Sequence, residues 1–316
     1  MRVLVTGGAG FIGSHLVDRA LALGHQVVAL DDLSGGRREN LTGALARGAR
    51  LEVADIRAPD ASAVVRNFAP EVVCHHAAQM DVRKSVADPA FDADVNLVGL
   101  LRVLEAARFA GALRHVVFAS SGGAMYGEQD VFPAPESHPV RPESPYGLAK
   151  AVSEQYLAWY QRMYGIGYTA LRYGNVYGPR QSPHGEAGVV AIFCGRILAG
   201  QPLTIFGDGT QTRDYVFVDD VVEANARALE QRPLGGFNVG TGVETDVREL
   251  ARRLIECSGR SIDVQHAPAR AGEQKRSVID PTAYGRASGW RPTVAVADGL
   301  ARTFAWFAAG GTGGKA

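Results

Sequence analysis

Cysteine is scarce in this chain of 316 residues: there are three, Cys74, Cys194 and Cys257, far apart and without the CxxC spacing of a metal site. A disulfide framework and a cysteine-built metal centre are therefore not expected, and the three read as reduced thiols of a cytoplasmic protein. A surplus of charge is also missing. Lys and Arg number 33, as do Asp and Glu, so the bulk attraction that nucleic acid or an acidic membrane surface would need is absent. No apolar run reaches membrane length, and Met1-Arg2-Val3-Leu4-Val5 is too short for a signal peptide and leads straight into glycines. There is no internal repeat, and only the Gly/Ala-rich stretch 308–316 looks like a loose tail. These absences point to a soluble protein whose partner is a small molecule.

What is present is rhythm. Short apolar runs at Val3-Leu4-Val5, Val27-Val28-Ala29-Leu30, Leu51-Glu52-Val53, Val72-Val73-Cys74 and Val116-Val117-Phe118 look like buried strands. Helix-like patterns near 11–22, 60–68 and 92–110 alternate with them. This is a βαβ series, hence an α/β fold with a doubly wound parallel sheet. After a further strand near 168–172 the rhythm breaks, and Gly, Pro and polar residues cluster from 174 to 188. The boundary is placed there: residues 1–172 form a dinucleotide-binding domain and 173–316 a smaller mixed α/β substrate domain, with a segment such as 215–240 free to pack back on the first. Helix-like stretches at 187–199, 219–230 and 246–257 belong to the second half.

Directly after the first strand comes Thr6-Gly7-Gly8-Ala9-Gly10-Phe11-Ile12-Gly13. The early glycines permit a tight turn and close approach of a pyrophosphate, the last lets helix pack on strand, and the helix start offers amide donors. A glycine string alone is weak evidence, but this one stands between strand and helix, as the mechanism requires. Asp31 ends the second strand 18 residues beyond Gly13, where a carboxylate can accept from ribose hydroxyls. That favours NAD over NADP; Arg37 or Arg38 could instead take a 2′-phosphate, which Asp31 would oppose. Asp55-Ile56 closes the third strand and reads either as a clamp on the adenine edge or as an ordinary strand terminator. His75-His76 lacks carboxylate or cysteine partners at metal spacing, so no metal site is read. Trp159, Trp290 and Trp306 read as packing residues.

Ser144-Pro145-Tyr146-Gly147-Leu148-Ala149-Lys150 sets a phenol and an ammonium four residues apart, on one face of a helix. Such pairs are common on helix surfaces. Use of the phenol as a base near neutrality requires its ionised form to be favoured by roughly three pKa units, about 4 kcal/mol, which a cation and a positively charged cofactor could supply.

With Gly7 to Gly13, Asp31, Asp55, His76-Ala77-Ala78, Asn96, Ser120-Ser121, Tyr146 and Lys150 in this order, essentially the whole chain resembles the extended short-chain dehydrogenase/reductase family. Arg172-Tyr173-Gly174-Asn175-Val176-Tyr177-Gly178-Pro179, Phe206-Gly207-Asp208-Gly209-Thr210-Gln211-Thr212-Arg213-Asp214-Tyr215 and Gly289-Trp290-Arg291-Pro292 look like its nucleotide-sugar enzymes, nearest to those that invert C4 of a UDP-hexose. The resemblance implies NAD as cofactor, held by Gly7, Gly10, Phe11, Ile12, Gly13, Asp31, Asp32, Asp55, Ile56, Ala77, Ala78, Asn96, Tyr146, Lys150 and Tyr173. It further implies that Tyr146 is the base and that Lys150 holds the nicotinamide ribose and lowers the phenol's pKa. A hydroxyl after the fifth strand is implied to bond the reacting sugar oxygen. Counting from Phe118 that hydroxyl is Ser121; counting back from Tyr126 the position falls on Gly122, as if the loop carried one extra residue. Strand register selects Ser121, with Ser120 in reserve.

The same loop has glycines where the related sugar-nucleotide dehydratases place Asp-Glu, so elimination lacks its acid and base. The remaining readings are an epimerase, an NAD-dependent oxidoreductase of a nucleotide-linked keto-sugar, and a noncatalytic NAD-binding sensor. By family pattern the substrate anchors are Asn175, Arg213, Arg270 and Glu273, the arginines apt for a diphosphate and the carboxylate for ribose hydroxyls. Ser85 is implied to touch the sugar, a helix N-cap being the competing role. Ser277 stands where residue size limits the C2 substituent, and a serine there predicts tolerance of N-acetylated hexoses. The family would pair helices near 94–109 and 146–163, including Tyr156, Trp159 and Tyr160, in a homodimer.

Overall fold

The computed structural model describes residues 1–184, 188–269 and 274–311. The first six strands are β1 (Arg2–Thr6), β2 (Gln26–Asp31), β3 (Arg50–Val53), β4 (Val72–His75), β5 (His115–Ser121) and β6 (Gly167–Tyr173). The second half adds β7 (Asn175–Tyr177), β8 (Leu203–Phe206), β9 (Thr212–Phe217), β10 (Gly235–Val239), β11 (Glu244–Asp246), β12 (Val264–Ala267) and β13 (Arg276–Ser277). The main sheet has seven parallel strands in the order β10-β6-β5-β4-β1-β2-β3. Val3, Leu4, Val5, Val72, Val73, Val116 and Val117 are fully buried, because helices cover both faces of the sheet. That is why these strands read as unbroken apolar runs rather than as alternation.

On one face the helix Phe11–Ala22, through Leu16 and Val17, shares a core with Val221 and Leu229 of the helix Val218–Gln231. On the other, Val65, Leu100, Leu104, Leu157 and Tyr160 close over Val73 and Val116. The chain winds outward in both directions from β1 and β4, so the carboxyl ends of these two neighbours form the crevice where ligands bind in such sheets.

The expected single helix over 92–110 is three pieces: Pro89–Ala93, a π-helical turn Asp94–Gly99, and Leu100–Phe109. Asn96 accounts for the wide turn. It is 3% exposed, and its amide accepts from Gln79 N at 3.0 Å and donates to Gln79 O at 2.9 Å, pulling this turn toward the crevice. The long helix Pro145–Tyr164 begins with Ser144 accepting from Gly147 N at 3.1 Å and Pro145 at the first turn, and Gly165 in the left-handed region ends it.

Beyond β6 the chain builds two small sheets. β9 is flanked by β11 and β13 and also pairs with β7, while β12 pairs with β8. A separate core of Phe193, Ile197, Leu203, Phe217, Leu254 and Phe304 supports them. β10 leaves this region and joins the main sheet beside β6, with Gly235 opposite Thr169 and Val239 opposite Tyr173.

Candidate active site

The glycine turn is dictated by crowding. Gly7 has φ +65°, and a Cβ there would lie 2.7 Å from Ala77 N. A Cβ on Gly13 would overlap the Gly7 carbonyl oxygen. Gly10 N donates to Gly7 O at 3.1 Å, and the helix then starts at Phe11 with no side-chain cap and no acidic residue in its first turn. The amides of Phe11, Ile12 and Gly13 thus lie at a helix start suited to an anion.

Asp31, 6% exposed at the end of β2, accepts from Ala9 N at 2.9 Å and from Leu33 N at 2.8 Å. Burial pushes its carboxyl up, against the downward pull of those two amides. The cradle of glycines and this buried acid at the crevice fit an adenine dinucleotide. Arg37, the rival contact for a 2′-phosphate, has its Nε 3.9 Å from Glu39. Asp32 is exposed and accepts from Ser34 N and Oγ. Asp55 is held by Arg57, with its Oδ2 2.6 Å from Nη2, and this pairing keeps its carboxyl low; Arg57 also reaches Asp94 at 2.9 Å. Ile56 beside it is buried.

After β4, Ala77 N donates to Thr6 Oγ1 at 3.2 Å, which sets Ala77 and Ala78 against the glycine turn. His76 Nε2 lies 3.2 Å from Tyr173 OH, and that hydroxyl also bonds Asn225 on the helix Val218–Gln231. Burial, with Lys150 adding, drives His76 down to about 4, so it is neutral near pH 7.

The two serines at the end of β5 point apart, as successive strand residues must. Ser120, 3% exposed, donates to Glu154 Oε1 at 2.6 Å, and Glu154 holds Arg172 with an Oε2 to Nη2 distance of 2.7 Å. Ser121 is on the crevice side, where its hydroxyl accepts from Ala124 N at 3.2 Å and acts on the Tyr146 phenol to favour its ionised form. Tyr146, Lys150 and Glu154 share one face of the long helix. Lys150 is 3% exposed, with its Nζ 5.6 Å from the Tyr146 ring centre and 4.8 Å from that of Phe118. Burial lowers its ammonium to about 8, opposed by Asp92 and Glu154. Burial pushes the Tyr146 phenol up to about 12, Asp92 adds to this, and the Ser121 bond opposes it. Among the protein's own groups, then, desolvation outweighs the lowering expected from Lys150.

Across the crevice, β7, β9 and β13 bring Asn175, Arg213 and Ser277 onto adjoining strands, with Ser277 opposite Arg213. The glycines after Ser121, expected as a loop, open the short helix Gly122–Met125, which Ser121 caps; a Cβ on Gly123 would lie 3.8 Å from Ser277 Oγ and 3.9 Å from Asn175 Oδ1, so this turn faces these residues. Arg213 Nη1 donates to Thr212 O at 2.8 Å. Arg270 and Glu273 lie outside the described residues. Ser85 is fully buried and donates to Val82 O at 2.7 Å; the N-cap of its helix is Asp81, whose carboxylate accepts from Lys84 N, so the capping role weighed for Ser85 is not the one it has.

A model of the NAD dependent epimerase/dehydratase family matches residues 3–240. The chain belongs to that family. A UDP-glucose 4-epimerase of Mycolicibacterium smegmatis is 52% identical over 312 residues, 97% of this chain and 98% of the relative. Among solved structures of this family, a UDP-glucose 4-epimerase of Thermotoga maritima with UDP-glucose superposes with a TM-score of 0.92 at 45% identity, covering 98% of this chain and 99% of that one. A UDP-glucose 4-epimerase of Thermus thermophilus in complex with NAD gives 0.90 at 48% identity, with coverage of 98% and 99%.

Sequence reasoning missed the supports of the family site. Glu154 was visible as the next member of the Tyr146 and Lys150 face. Asp214 is 2% exposed and accepts from Thr241 N, Thr241 Oγ1 and Gly242 N, tying the β9 region to the loop after β10. Its partner lies so far along the chain that no local pattern signals it.

Proposed function

We propose that this protein interconverts UDP-glucose and UDP-galactose, and their N-acetylated counterparts, by inverting C4 through a 4-keto sugar. The observation that carries this reading is the meeting of Ser121, Tyr146 and Lys150 at the sheet's carboxyl edge, facing glycines where elimination would need an acid and a base. Gly7, Gly10, Phe11, Ile12 and Gly13 would hold NAD at its pyrophosphate and Asp31 at its adenosine ribose, with Asp32, Asp55, Ile56, Ala77, Ala78, Asn96 and Tyr173 lining the rest of its site. When bound, it accepts hydride from C4, returns it to the other face of the ketone, and brings positive charge beside Tyr146.

Tyr146 takes the O4 proton and later gives it back. Ser121, beside the phenol, steadies the sugar oxygen, and the Lys150 ammonium holds the nicotinamide ribose. Because the sugar must turn over between the two transfers, its anchoring falls on the nucleotide and diphosphate. Asn175, Arg213, Arg270 and Glu273 are assigned to that task, Ser85 to the sugar, and Ser277 to the space at C2.

Residues 173–316 act as the substrate domain, with 215–240 returning to the main sheet. The exposed side chains Phe109, Tyr156, Trp159, Met163 and Tyr164 on adjacent helices support a homodimer formed through this face. No helix among the described residues is long and apolar enough to cross a membrane, and the three free cysteines support a place in the cytoplasm.

The test incubates purified protein with UDP-galactose, without added cofactor, and follows the sugar by NMR. Glucose formation without accumulating NADH is expected. Stoichiometric NADH would make the protein a net oxidoreductase, and inertness toward several sugars would leave a noncatalytic NAD binder.

A further inference from the structure

Asp92 has no part in the chemistry above, yet it is 1% exposed and lies in the short helix Pro89–Ala93 packed on the helix that bears Tyr146 and Lys150. Its Oδ1 accepts from Gln79 Nε2 and from Asn96 Nδ2, each at 3.0 Å. Its Oδ2 is buried with no hydrogen-bond partner among the described residues. A carboxylate withdrawn from water with one bare oxygen costs several kcal/mol unless a positive charge lies within reach. The helix that carries Asp92 packs on the helix that carries Lys150 and Tyr146, and Asp92 acts electrostatically on both of these groups.

We propose that Asp92 is a positioning residue of this active centre: its bonded oxygen fixes Gln79 and Asn96 at the crevice wall, and its bare oxygen is the counter-charge of the Lys150 ammonium. The other charged groups nearby are engaged or turned away. Glu154, on the Lys150 helix, is bonded to Arg172 and Ser120. His75 and His76 are driven neutral by burial. On the helix Val82–Ala87, Arg83 and Lys84 are exposed, and Lys84 lies over the Phe91 ring. Asp88 is exposed and caps its own helix, and Asp94 is paired with Arg57.

The signs follow from this placement. Asp92 favours the charged form of Lys150 and disfavours the charged form of Tyr146. Removing its charge makes the phenolate easier to form and the ammonium harder to keep, so both limbs of the rate profile move to lower pH. A single buried charge acting through a medium of effective dielectric ~20 shifts a neighbouring titration by about one pH unit.

The proposal rests on Tyr146 as the proton acceptor, and the experiment separates the two. Asp92→Asn keeps the shape and the acceptor for Gln79 and Asn96. Its kcat/KM against pH is expected to slide downward on both limbs by about one unit, and Asp92→Glu, with the charge restored, is expected to bring the limbs back. Tyrosinate absorbance of the protein as isolated, taken as the difference from Tyr146→Phe in each background, reads the phenol without turnover, and its midpoint is expected to fall in the Asn variant. If Asp92→Asn folds poorly, Asp92→Ser, small enough to admit water, gives the same readout. A uniform loss of rate with unmoved limbs and an unmoved tyrosinate midpoint would make Asp92 a packing residue and overturn the proposal.

Discussion

In the glycine turn the backbone itself forms the proposed binding surface, whereas across the crevice the proposed anchors are side chains carried on three strands from distant parts of the chain. Gly7, Gly10 and Gly13 act by having nothing to contribute, because each lies where a Cβ would press on a neighbouring carbonyl or amide. Asn175, Arg213 and Ser277 would act by what they carry, and they are brought onto adjoining strands because β7 and β13 both pair with β9. A surface made of backbone tolerates almost no substitution and recognises a part shared by many ligands. One made of side chains can be retuned residue by residue, which suits the half that must tell sugars apart.

Between the halves sits Tyr146, and its removal is the severest test of the comparison. Tyr146→Phe keeps the ring and is expected to retain NAD while turnover falls by about 10² to 10⁴-fold; undiminished catalysis would refute the assigned base. Next is Gly13→Ala, a single methyl against the Gly7 carbonyl. NAD should be lost, and the melting transition should report a cost of about 1–3 kcal/mol. Full cofactor occupancy in that variant would show that the turn yields more readily than its crowding implies.

Ser121→Ala against Ser120→Ala separates the two hydroxyls at the end of β5. The first should lower turnover roughly 10- to 100-fold, the value of a hydrogen bond to a charged group. The second should cost about 1 kcal/mol of stability and leave turnover near wild type, since Glu154 keeps Arg172; the opposite pattern would move the catalytic hydroxyl. Smallest on plain hexoses is Ser277→Tyr, which should suppress turnover of UDP-GlcNAc while sparing UDP-galactose. A wild type inert on UDP-GlcNAc would sink the size argument.

The inner strands β1, β2, β4 and β5 were legible because they are buried on both faces, and each glycine of the turn has a local reason; Leu51-Glu52-Val53, read as a buried strand, is the edge strand β3 and has no buried residue, because no strand covers its outer side. The π-turn at Asp94–Gly99 was not legible, since its cause is a pair of bonds between Asn96 and Gln79 that no periodicity encodes. Alternation along β5 turns the two serines to opposite sides, with Ser120 bonded to Glu154 and Ser121 on the side of Tyr146, which favours Ser121 as the reacting hydroxyl. Spacing shows that a cation is near the Tyr146 phenol but not how much water is excluded, and it is burial that pushes the phenol up. Asp92 escaped notice because an acid in a polar-looking stretch gives no sign of being buried.

The position of β10 bears on how the protein comes into being. A ribosome releases β6 long before it makes Gly235 to Val239, the strand that pairs with it. Until then Thr169 to Tyr173 present an open edge of unpaired amides and carbonyls, the kind of surface on which nascent chains stick to one another. A fragment stopped at residue 172 should therefore aggregate although it contains every strand from β1 to nearly the end of β6, and a chaperone that guards that edge would be acting on a joint that only a much later strand can close.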